Sequence, residues 1–378
     1  MFSDGFSKWQ LRAVTRPNQR TVLLVSDYLP TDPGGRAEKL ATREVLLDER
    51  GWNLVICPVD EPYVLTLPVA IIRGVRMARK HDVDVVHSIN NPFHLHLIGF
   101  VISLLCGLPW LAELRDALVT DPDVAAGSAR YHARRLVERL VVSRATKMVW
   151  IDGIQLPPDY FRTQYPDHSA DIERLPFLGF VPDRFEDAGA AAYDTFTITY
   201  AGSFYPGWLE PFSFLDGLDQ FIRDADDDIV VQFYGDWCDE YQQYAEDHAV
   251  DTVVRTHGFV PHEEIVPVLN GSDAVLYIGG TDEKNARNVP SKIWDYIASR
   301  RPIMAVVDPS FRVATFIEEH DLGVVASPDD PAEVAAALRQ LRDGQFNGAS
   351  TAVYERFSRS RLVDELARVL DSMYEAAE

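Results

Sequence analysis

The sequence predicts an α/β protein with two parallel-sheet domains, on the strength of three observations. Short apolar runs rich in β-forming residues alternate with segments of helical periodicity, and this alternation is typical of doubly wound parallel sheets. Between Asp152 and Thr195 several prolines and a small-residue stretch, Ala188 to Ala192, interrupt it. With 378 residues, the chain is long enough to bury two cores.

The first half contains five apolar runs that we predict to be strands. The helical segments between them show apolar spacing of three and four residues, and Gly51 closes the first helix. The predicted strands are 21–26, 53–58, 83–87, 110–113 and 147–151, and the predicted helices are 36–50, 67–80, 93–106 and 128–143.

The second half repeats the pattern and ends in an amphipathic segment, 354–374, whose spacing shows only that it packs somewhere. The predicted strands are 196–200, 229–234, 253–257, 274–278 and a run ending at Val307, with helices after Glu210 and at 240–248, 263–269 and 291–299. We predict a leader at 1–18, a first α/β domain at 19–185, a second at 193–350 and a C-terminal helical segment at 351–378.

Charge excludes some classes of function. The chain has 58 acidic and 36 basic residues and a net charge of −22, which disfavours nucleic acid and disfavours binding of anionic lipid by charge alone. A bound nucleotide must therefore meet local cations. Only six of the basic residues are lysine, a combination that we interpret as adaptation to high salt; an ordinary acidic cytosolic enzyme would explain the charge but not the scarcity of lysine.

Targeting and metal signals are absent from the sequence. Cys57, Cys106 and Cys238 form no C-x-x-C pair, and no metal-ligand spacing occurs, so we expect reduced thiols, no metal and no cofactor. The N-terminus lacks the apolar core of a signal peptide, which predicts a cytoplasmic protein. The apolar run Leu95 to Leu111 is broken by Gly107 and Pro109, which favours a buried helix and strand over a membrane span.

Asp273 to Val307 carries the clearest functional pattern. Ala274 to Ile278 is a buried strand, and Pro290 and Ser291 open a helix whose N-terminus would face the carboxyl end of that strand, a favourable place for an anion. Lys292 in the first turn opposes the helix dipole, and a phosphate partner would account for it. The alternative is that Lys292 pairs with Asp295 or Asp282 on a wet surface.

The run VPSKIWDYIASRRPIMAV resembles the nucleotide-sugar segment of family-4 glycosyltransferases (glycosyl transferases group 1), which commonly reads P-x-K-x-x-E-Y-x-A-x-x-x-P-I-x-A. The resemblance implies that Asp295, at the position of a family glutamate, accepts hydrogen bonds from the nucleotide ribose. A second family glutamate touches the donor sugar, but Arg287 stands there in this chain. The donor sugar is accordingly not predicted.

Three glycine-containing segments match further positions of the family. The resemblance places Gly34 and Gly35 beside the donor phosphates and acceptor, and Gly202 and Ser203, in ITYAGS, beside the diphosphate. The arginine and lysine that often follow in the family are missing, so phosphate charge must fall on Lys292, Arg287 or backbone donors. Gly258, Phe259 and Val260 are similar to the turn that holds the base, although Phe259 is equally compatible with a core position.

Polar residues that follow strands of the first domain predict a second half of the site. His87, Arg115, Asp116 and Asp152 each follow an apolar run, and the carboxyl ends of parallel strands meet at one crevice. His87 would orient an acceptor or donor sugar, although a lone histidine at a strand end is more often structural. ELRD, which contains Arg115 and Asp116, resembles a motif frequent in the family.

The resemblance implies a GT-B fold: a Rossmann-like acceptor domain at 19–185 and a Rossmann-like nucleotide-sugar domain at 193–350 that face a central cleft, with a C-terminal helix at 351–378 crossing back to the first domain. It implies transfer of a sugar from a nucleoside diphosphate sugar to a glycan or lipid-linked acceptor. In the family this transfer usually retains the anomeric configuration and uses no metal. Peripheral association with the inner membrane face is left open. A nucleotide-sugar epimerase and a catalytically degenerate partner subunit are the alternatives. Hydride transfer is disfavoured, because G-x-G-x-x-G does not follow the first strand.

Overall fold

The computed structural model consists of two α/β units, each built on one sheet. The first unit comprises the described residues of Met1–Trp150, Pro157–Arg174 and Val363–Glu378, and the second those of Ile151–Leu156 and Leu175–Leu362. The structure describes residues 19–32, 35–61, 63–90, 92–120, 124–151, 156, 159–167, 170–175, 179–224, 228–280 and 286–377.

Strands and helices alternate through most of these residues. The strands are β1 (Arg20–Ser26), β2 (Trp52–Pro58), β3 (Val85–Ile89), β4 (Trp110–Leu114), β5 (Lys147–Ile151), β6 (Asp171–Leu175), β7 (Phe196–Ala201), β8 (Ile229–Tyr234), β9 (Val254–Thr256), β10 (Ala274–Ile278), β11 (Ile303–Val306) and β12 (Gly323–Ala326). The helices are α1 (Gly35–Glu49), α2 (Tyr63–Lys80), α3 (Leu95–Cys106), α4 (Ala129–Arg144), α5 (Tyr160–Gln164), α6 (Pro182–Glu186), α7 (Phe212–Asp224), α8 (Asp239–Asp247), α9 (His262–Gly271), α10 (Lys292–Ser299), α11 (Arg312–Glu319), α12 (Pro331–Arg342), α13 (Thr351–Arg356) and α14 (Arg359–Glu375).

Both sheets are doubly wound. Within the described residues, the strand orders are β2-β1-β3-β4-β5-β6 and β12-β11-β10-β7-β8-β9. In the first sheet, strand β1 pairs in parallel with β2 and β3, and β4 pairs in parallel with β3 and β5. In the second sheet, all neighbouring strands are parallel. The winding direction reverses between β1 and β3 and between β7 and β10, and such a reversal opens a ligand crevice beyond the carboxyl ends of the two strands. The predicted fold class is confirmed.

The second sheet is buried on both faces, which explains why its strands read as continuous apolar runs. Along β10, Leu276 and Ile278 pack into one apolar cluster, whereas Val275 and Tyr277 pack into the cluster on the other face. Side chains alternate across a strand, so two helical layers cover this sheet. Only the strand ends and the loops beyond them remain available to a ligand.

The C-terminal helix returns to the first unit, as predicted. Helix α14 begins at Arg359 in the second unit, and its residues from Val363 onward belong to the first. There Asp371 accepts a hydrogen bond from the indole of Trp52 at 2.9 Å and pairs with Arg20. Leu366 and Leu370, on the predicted apolar stripe, are fully buried.

One local prediction was wrong. Strand β3 does not end at His87 but continues to Ile89, because Ser88 is satisfied inside the fold: its hydroxyl accepts from the Trp110 indole at 2.8 Å and lies 2.8 Å from His96 Nδ1. Between Asp152 and Thr195, where the sequence alternation is interrupted, the described residues form the short elements α5, β6 and α6, and β6 is an edge strand of the first sheet. In the described part of the chain, no helix is both long and apolar enough to cross a bilayer.

Candidate functional site

In the second unit, the strands on either side of the sheet reversal end in glycine-containing loops. Gly202 follows β7, and Gly279 follows β10. Gly202 has a φ of +150°, and a Cβ on it would lie 2.5 Å from Lys292 Nζ. Only glycine lets the backbone approach this lysine so closely.

A second close backbone contact closes this edge of the sheet. The carbonyl of Tyr234, at the end of β8, accepts a hydrogen bond from the Gly202 N–H at 2.9 Å. The next residue, Gly235, has a φ of +132°, and a Cβ on it would meet the Gly202 carbonyl oxygen at 2.0 Å. These two loops therefore pack backbone against backbone, and neither glycine can be replaced without movement.

Helix α10 is anchored to the same edge by buried tyrosines. The hydroxyl of Tyr296 donates to the Leu276 carbonyl at 2.8 Å and accepts from the Ala201 N–H at 3.3 Å, so it joins β10 to β7. The hydroxyl of Tyr200 donates to the Ser203 carbonyl at 3.0 Å. The helix begins at Lys292 directly after Pro290 and Ser291, as the sequence predicted to within one residue.

Lys292 is a half-buried cation that has no acidic partner among the described residues. Its Nζ donates to the Tyr200 hydroxyl at 3.1 Å and lies 4.3 Å from the centre of that ring. Within the described residues, no carboxylate comes within ion-pairing distance of it, and Asp295 contacts His262 instead. Burial lowers the pKa of Lys292 to about 8. The pairing with Asp295 that we weighed is therefore wrong, and Asp282 lies outside the described residues.

Asp295 and His262 form a pair that sequence reasoning missed. The carboxylate oxygen Oδ2 lies 3.1 Å from His262 Nε2, and the two side chains are 32% and 44% exposed. His262 is the first residue of α9, so this contact joins the starts of two helices that are distant in sequence. The contact uses one of the two carboxylate oxygens of Asp295.

The predicted base-binding turn lies beyond β9. The Gly258 carbonyl accepts from the Gly235 N–H at 2.8 Å, which places this turn beside the loop that follows β8. Phe259 is 82% exposed, so the alternative that it belongs to the core is wrong. Val260 packs partly into the apolar cluster beneath α9 and α10.

The segment after Ser203 folds into a small hairpin in place of the cations that the family often has there. Tyr205 and Leu209 exchange backbone hydrogen bonds at 2.9 Å, and the rings of Tyr205 and Trp208 stack with centroids 5.0 Å apart. Arg287 is exposed on the turn before α10. Among the described residues, Lys292 is consequently the cation that approaches the loop after β7.

The first unit contains a buried charged cluster on β3 and β4. Glu113 is fully buried, and Arg43 approaches its two carboxylate oxygens at 2.8 and 3.1 Å. Arg115 Nε donates to Glu113 at 2.7 Å, and His87 Nε2 lies 3.0 Å from the same carboxylate. A charged residue inside the apolar run WLAEL was the sequence signal for this cluster, but its partners come from other elements.

The cluster has a defined protonation state. Burial by itself would raise the pKa of Glu113, but Arg43 and Arg115 hold it well below its usual range. Burial lowers the pKa of His87, against the opposing effect of Glu113. Glu113 is therefore ionised and His87 neutral near pH 7. Among the described residues, His87 Nδ1 has no hydrogen-bond partner, and Nε2, although 3.0 Å from Glu113, lacks the geometry of a hydrogen bond.

The remaining predicted site residues are distributed as follows. Arg115 reaches the Tyr28 hydroxyl at 3.2 Å, and its N–H donates to Asn90 at 2.7 Å, while the Asp116 carbonyl accepts from the Asn90 amide at 2.7 Å. Gly35 is the first residue of α1. Gly34 and Asp152 lie outside the described residues. No group of three or more potential metal ligands occurs among the described residues.

No protein-family model matches the chain, and no curated protein sequence does. Solved structures are similar in fold. A glycosyltransferase from Rickettsia africae has a TM-score of 0.64 at 13% identity, with 94% of this chain and 99% of that one covered. HepE of Anabaena, in complex with UDP-glucose, has a TM-score of 0.58 at 14% identity over 93% and 99% of the two chains.

UDP-GlcNAc 2-epimerase from Methanocaldococcus jannaschii is also similar, with a TM-score of 0.53 at 10% identity over 93% of this chain and 99% of that one. At such identities the similarity establishes a shared two-domain fold, that of the GT-B proteins, and leaves the reaction open. The chemistry must be argued from the residues of the two units.

Proposed function

We propose that this chain is a glycosyltransferase that uses a nucleoside diphosphate sugar as donor. The observation that carries the proposal is Lys292: a half-buried cation with no carboxylate partner among the described residues, at the edge where the second sheet reverses direction. Burying an uncompensated charge is costly unless a ligand compensates it. A diphosphate at the start of α10 would supply that compensation.

The residues around Lys292 suit a diphosphate leaving group. The Tyr200 hydroxyl holds the ammonium group, and the absence of a side chain on Gly202 leaves the backbone of the β7 loop close to it. As the sugar–oxygen bond breaks, negative charge grows on the diphosphate, and a fixed cation and helix N-terminus stabilise that charge. We assign to Asp295 the role that the resemblance implies, acceptance of hydrogen bonds from the ribose, and the 3.1 Å contact with His262 Nε2 would hold one of its oxygens.

The enzyme family, the stereochemistry of transfer and the kind of product are inferred from the family resemblance. VPSKIWDYIASRRPIMAV supports a family-4 type, retaining hexosyltransferase, acting in the synthesis of a glycan, polysaccharide or glycolipid. UDP is the first nucleotide to test, because HepE was solved with UDP-glucose. The roles of His87, Arg115 and Arg287 toward sugar or acceptor stay predictions. His87 would have to become accessible, since its ring is fully buried.

The test compares UDP, GDP, TDP and ADP as thermal stabilisers of the wild type and of Lys292→Met, in molar KCl. A ligand at 100 times its Kd stabilises by about 2.7 kcal/mol. We expect one nucleotide to stabilise the wild type and to lose that effect in the variant. Stabilisation by none of them, in folded protein, would contradict the donor site.

Turnover assays with the matching nucleotide sugar then separate the activities. Release of nucleoside diphosphate that requires an acceptor identifies a transferase. Isomerisation of the sugar without acceptor identifies an epimerase, the alternative that similarity to the Methanocaldococcus protein favours. Binding without either reaction identifies a degenerate partner subunit.

A further inference from the structure

Three neighbouring helices of the first unit carry a charge opposite to that of the chain. Helices α2, α3 and α4 contain only one of the 58 acidic residues, Glu138, but nine of the 36 basic residues. Glu138 is 1% exposed and accepts hydrogen bonds from the hydroxyls of Tyr160 and Tyr165. The exposed surface of these helices is therefore basic.

The three helices form one layer. Connections between parallel strands are right-handed, and β2 to β3, β3 to β4 and β4 to β5 all progress in the same direction across the first sheet. Their helices consequently lie on the same face. Helix α3 packs against both α2 and α4, which places it in the middle.

The same layer concentrates exposed apolar side chains. Of the seven large apolar residues that are exposed in the described part of the chain, five belong to these helices. They are Val69 (56% exposed), Ile72 (52%), Leu104 (67%), Leu105 (56%) and Leu136 (69%). We call these five residues, with the exposed basic residues of α2 and α4, the α2–α3–α4 face.

Apolar and basic residues share the same exposed stripes of α2 and α4. On α2, exposed residues 69, 72, 76, 79 and 80 recur at helical spacing, so Arg76, Arg79 and Lys80 continue the line begun by Val69 and Ile72. No ion pair is formed by these three cations within the described residues. On α4, Leu136 is flanked by exposed Arg135 and Arg139.

We propose that the α2–α3–α4 face docks on a lipid bilayer that contains anionic headgroups. Aliphatic side chains can enter the boundary between headgroups and acyl chains while arginine and lysine meet the lipid phosphates. Nucleic acid would leave the five aliphatic residues without a partner. The centres of protein interfaces are enriched in Trp, Tyr and Arg, whereas Leu and Val, which make up four of the five exposed aliphatic residues here, are under-represented there.

The net charge of −22 does not oppose this docking at close range. Repulsion between exposed charges is screened beyond about 8 Å at physiological ionic strength, so the residues at the contact decide the sign of the interaction. The proposal is independent of the glycosyltransferase activity. If both hold, docking brings the first unit to a membrane where lipid-linked acceptors reside.

The test measures co-sedimentation with vesicles of phosphatidylcholine, alone or mixed with phosphatidylglycerol, at physiological salt. We expect binding to the mixed vesicles and much weaker binding to the neutral ones. Replacing Arg76, Arg79 and Lys80 together by Gln should weaken binding about a hundredfold, because each cation contributes about fivefold. Leu104→Ser with Leu105→Ser should weaken it at least tenfold without changing the charge.

The matched control removes the same charge elsewhere: Arg223, Arg255 and Arg356 of the second unit, all exposed, are replaced together by Gln. Equal losses in the two triple variants would overturn the proposal. So would a wild-type protein that binds no vesicle. If that protein instead self-associates in sedimentation velocity, and the Leu104 and Leu105 changes abolish this, the face is an interface between copies of the chain.

Discussion

Lys292→Met tests the donor site through stability as well as binding. Burial lowers the pKa of Lys292 from 10.5 to about 8, and this difference corresponds to a cost of about 3 kcal/mol for holding the charge in the folded protein at pH 7. Methionine keeps the apolar stem and removes the charge. It also loses the hydrogen bond to Tyr200, worth about 1 kcal/mol. We expect the ligand-free variant to be more stable than wild type by about 2 kcal/mol.

The pH dependence gives the sign of the effect. Because the folded pKa lies below the unfolded value, the penalty is complete below pH 8 and disappears as the pH rises to 10.5. As the pH rises from about 8 to 10.5, the free energy of unfolding of the wild type should therefore increase relative to that of the variant. A diphosphate should instead bind more tightly to the wild type than to the variant, since removing one partner of a buried charge pair costs about 2 to 5 kcal/mol.

The assay is urea denaturation of both proteins at pH 7 and at pH 10, with and without UDP. Lys80→Met is the control, because Lys80 is exposed at the end of α2. A variant that is less stable than wild type without ligand, and that UDP stabilises equally, would refute the reasoning. The comparison without ligand tests the cost of burying the charge, and the comparison with UDP tests the binding site. Each of the two arguments can therefore fail without the other.

Three further predictions concern the rest of the fold. Glu113→Gln should cost about 3 to 5 kcal/mol in urea denaturation, because it leaves the buried Arg43 and the half-buried Arg115 short of a counter-charge. Since the folded pKa of Glu113 is depressed, the wild-type advantage should be present above about pH 4.5 and be lost at lower pH. Gly202→Ala should weaken nucleotide binding at least tenfold in calorimetry, whereas Gly207→Ala, on the open hairpin tip, should not. Raising KCl from about 0.1 to about 2 M should raise the melting temperature by several degrees, because screening removes repulsion among acidic side chains.

Much of the second unit could be predicted from sequence because its signals are local. The strand 274–278, the glycines after it, and the helix opened by Pro290 and Ser291 each follow from backbone preferences of a few neighbouring residues, and the structure contains all of them. The exposure of Phe259 could not be predicted, since an aromatic residue after a strand suits core and surface equally.

The sequence by itself determined the α/β class, the winding of two sheets and the strand ends where polar residues gather, because hydrophobic periodicity and helix capping act over a few residues. Only the tertiary structure decided which partners those residues have. His87 turned inward to Glu113 and Arg43, Asp295 met His262, and Lys292 was left with Tyr200. The reason is physical: burial and Coulomb interactions depend on distances between elements that lie far apart in the chain, and no local pattern encodes those distances.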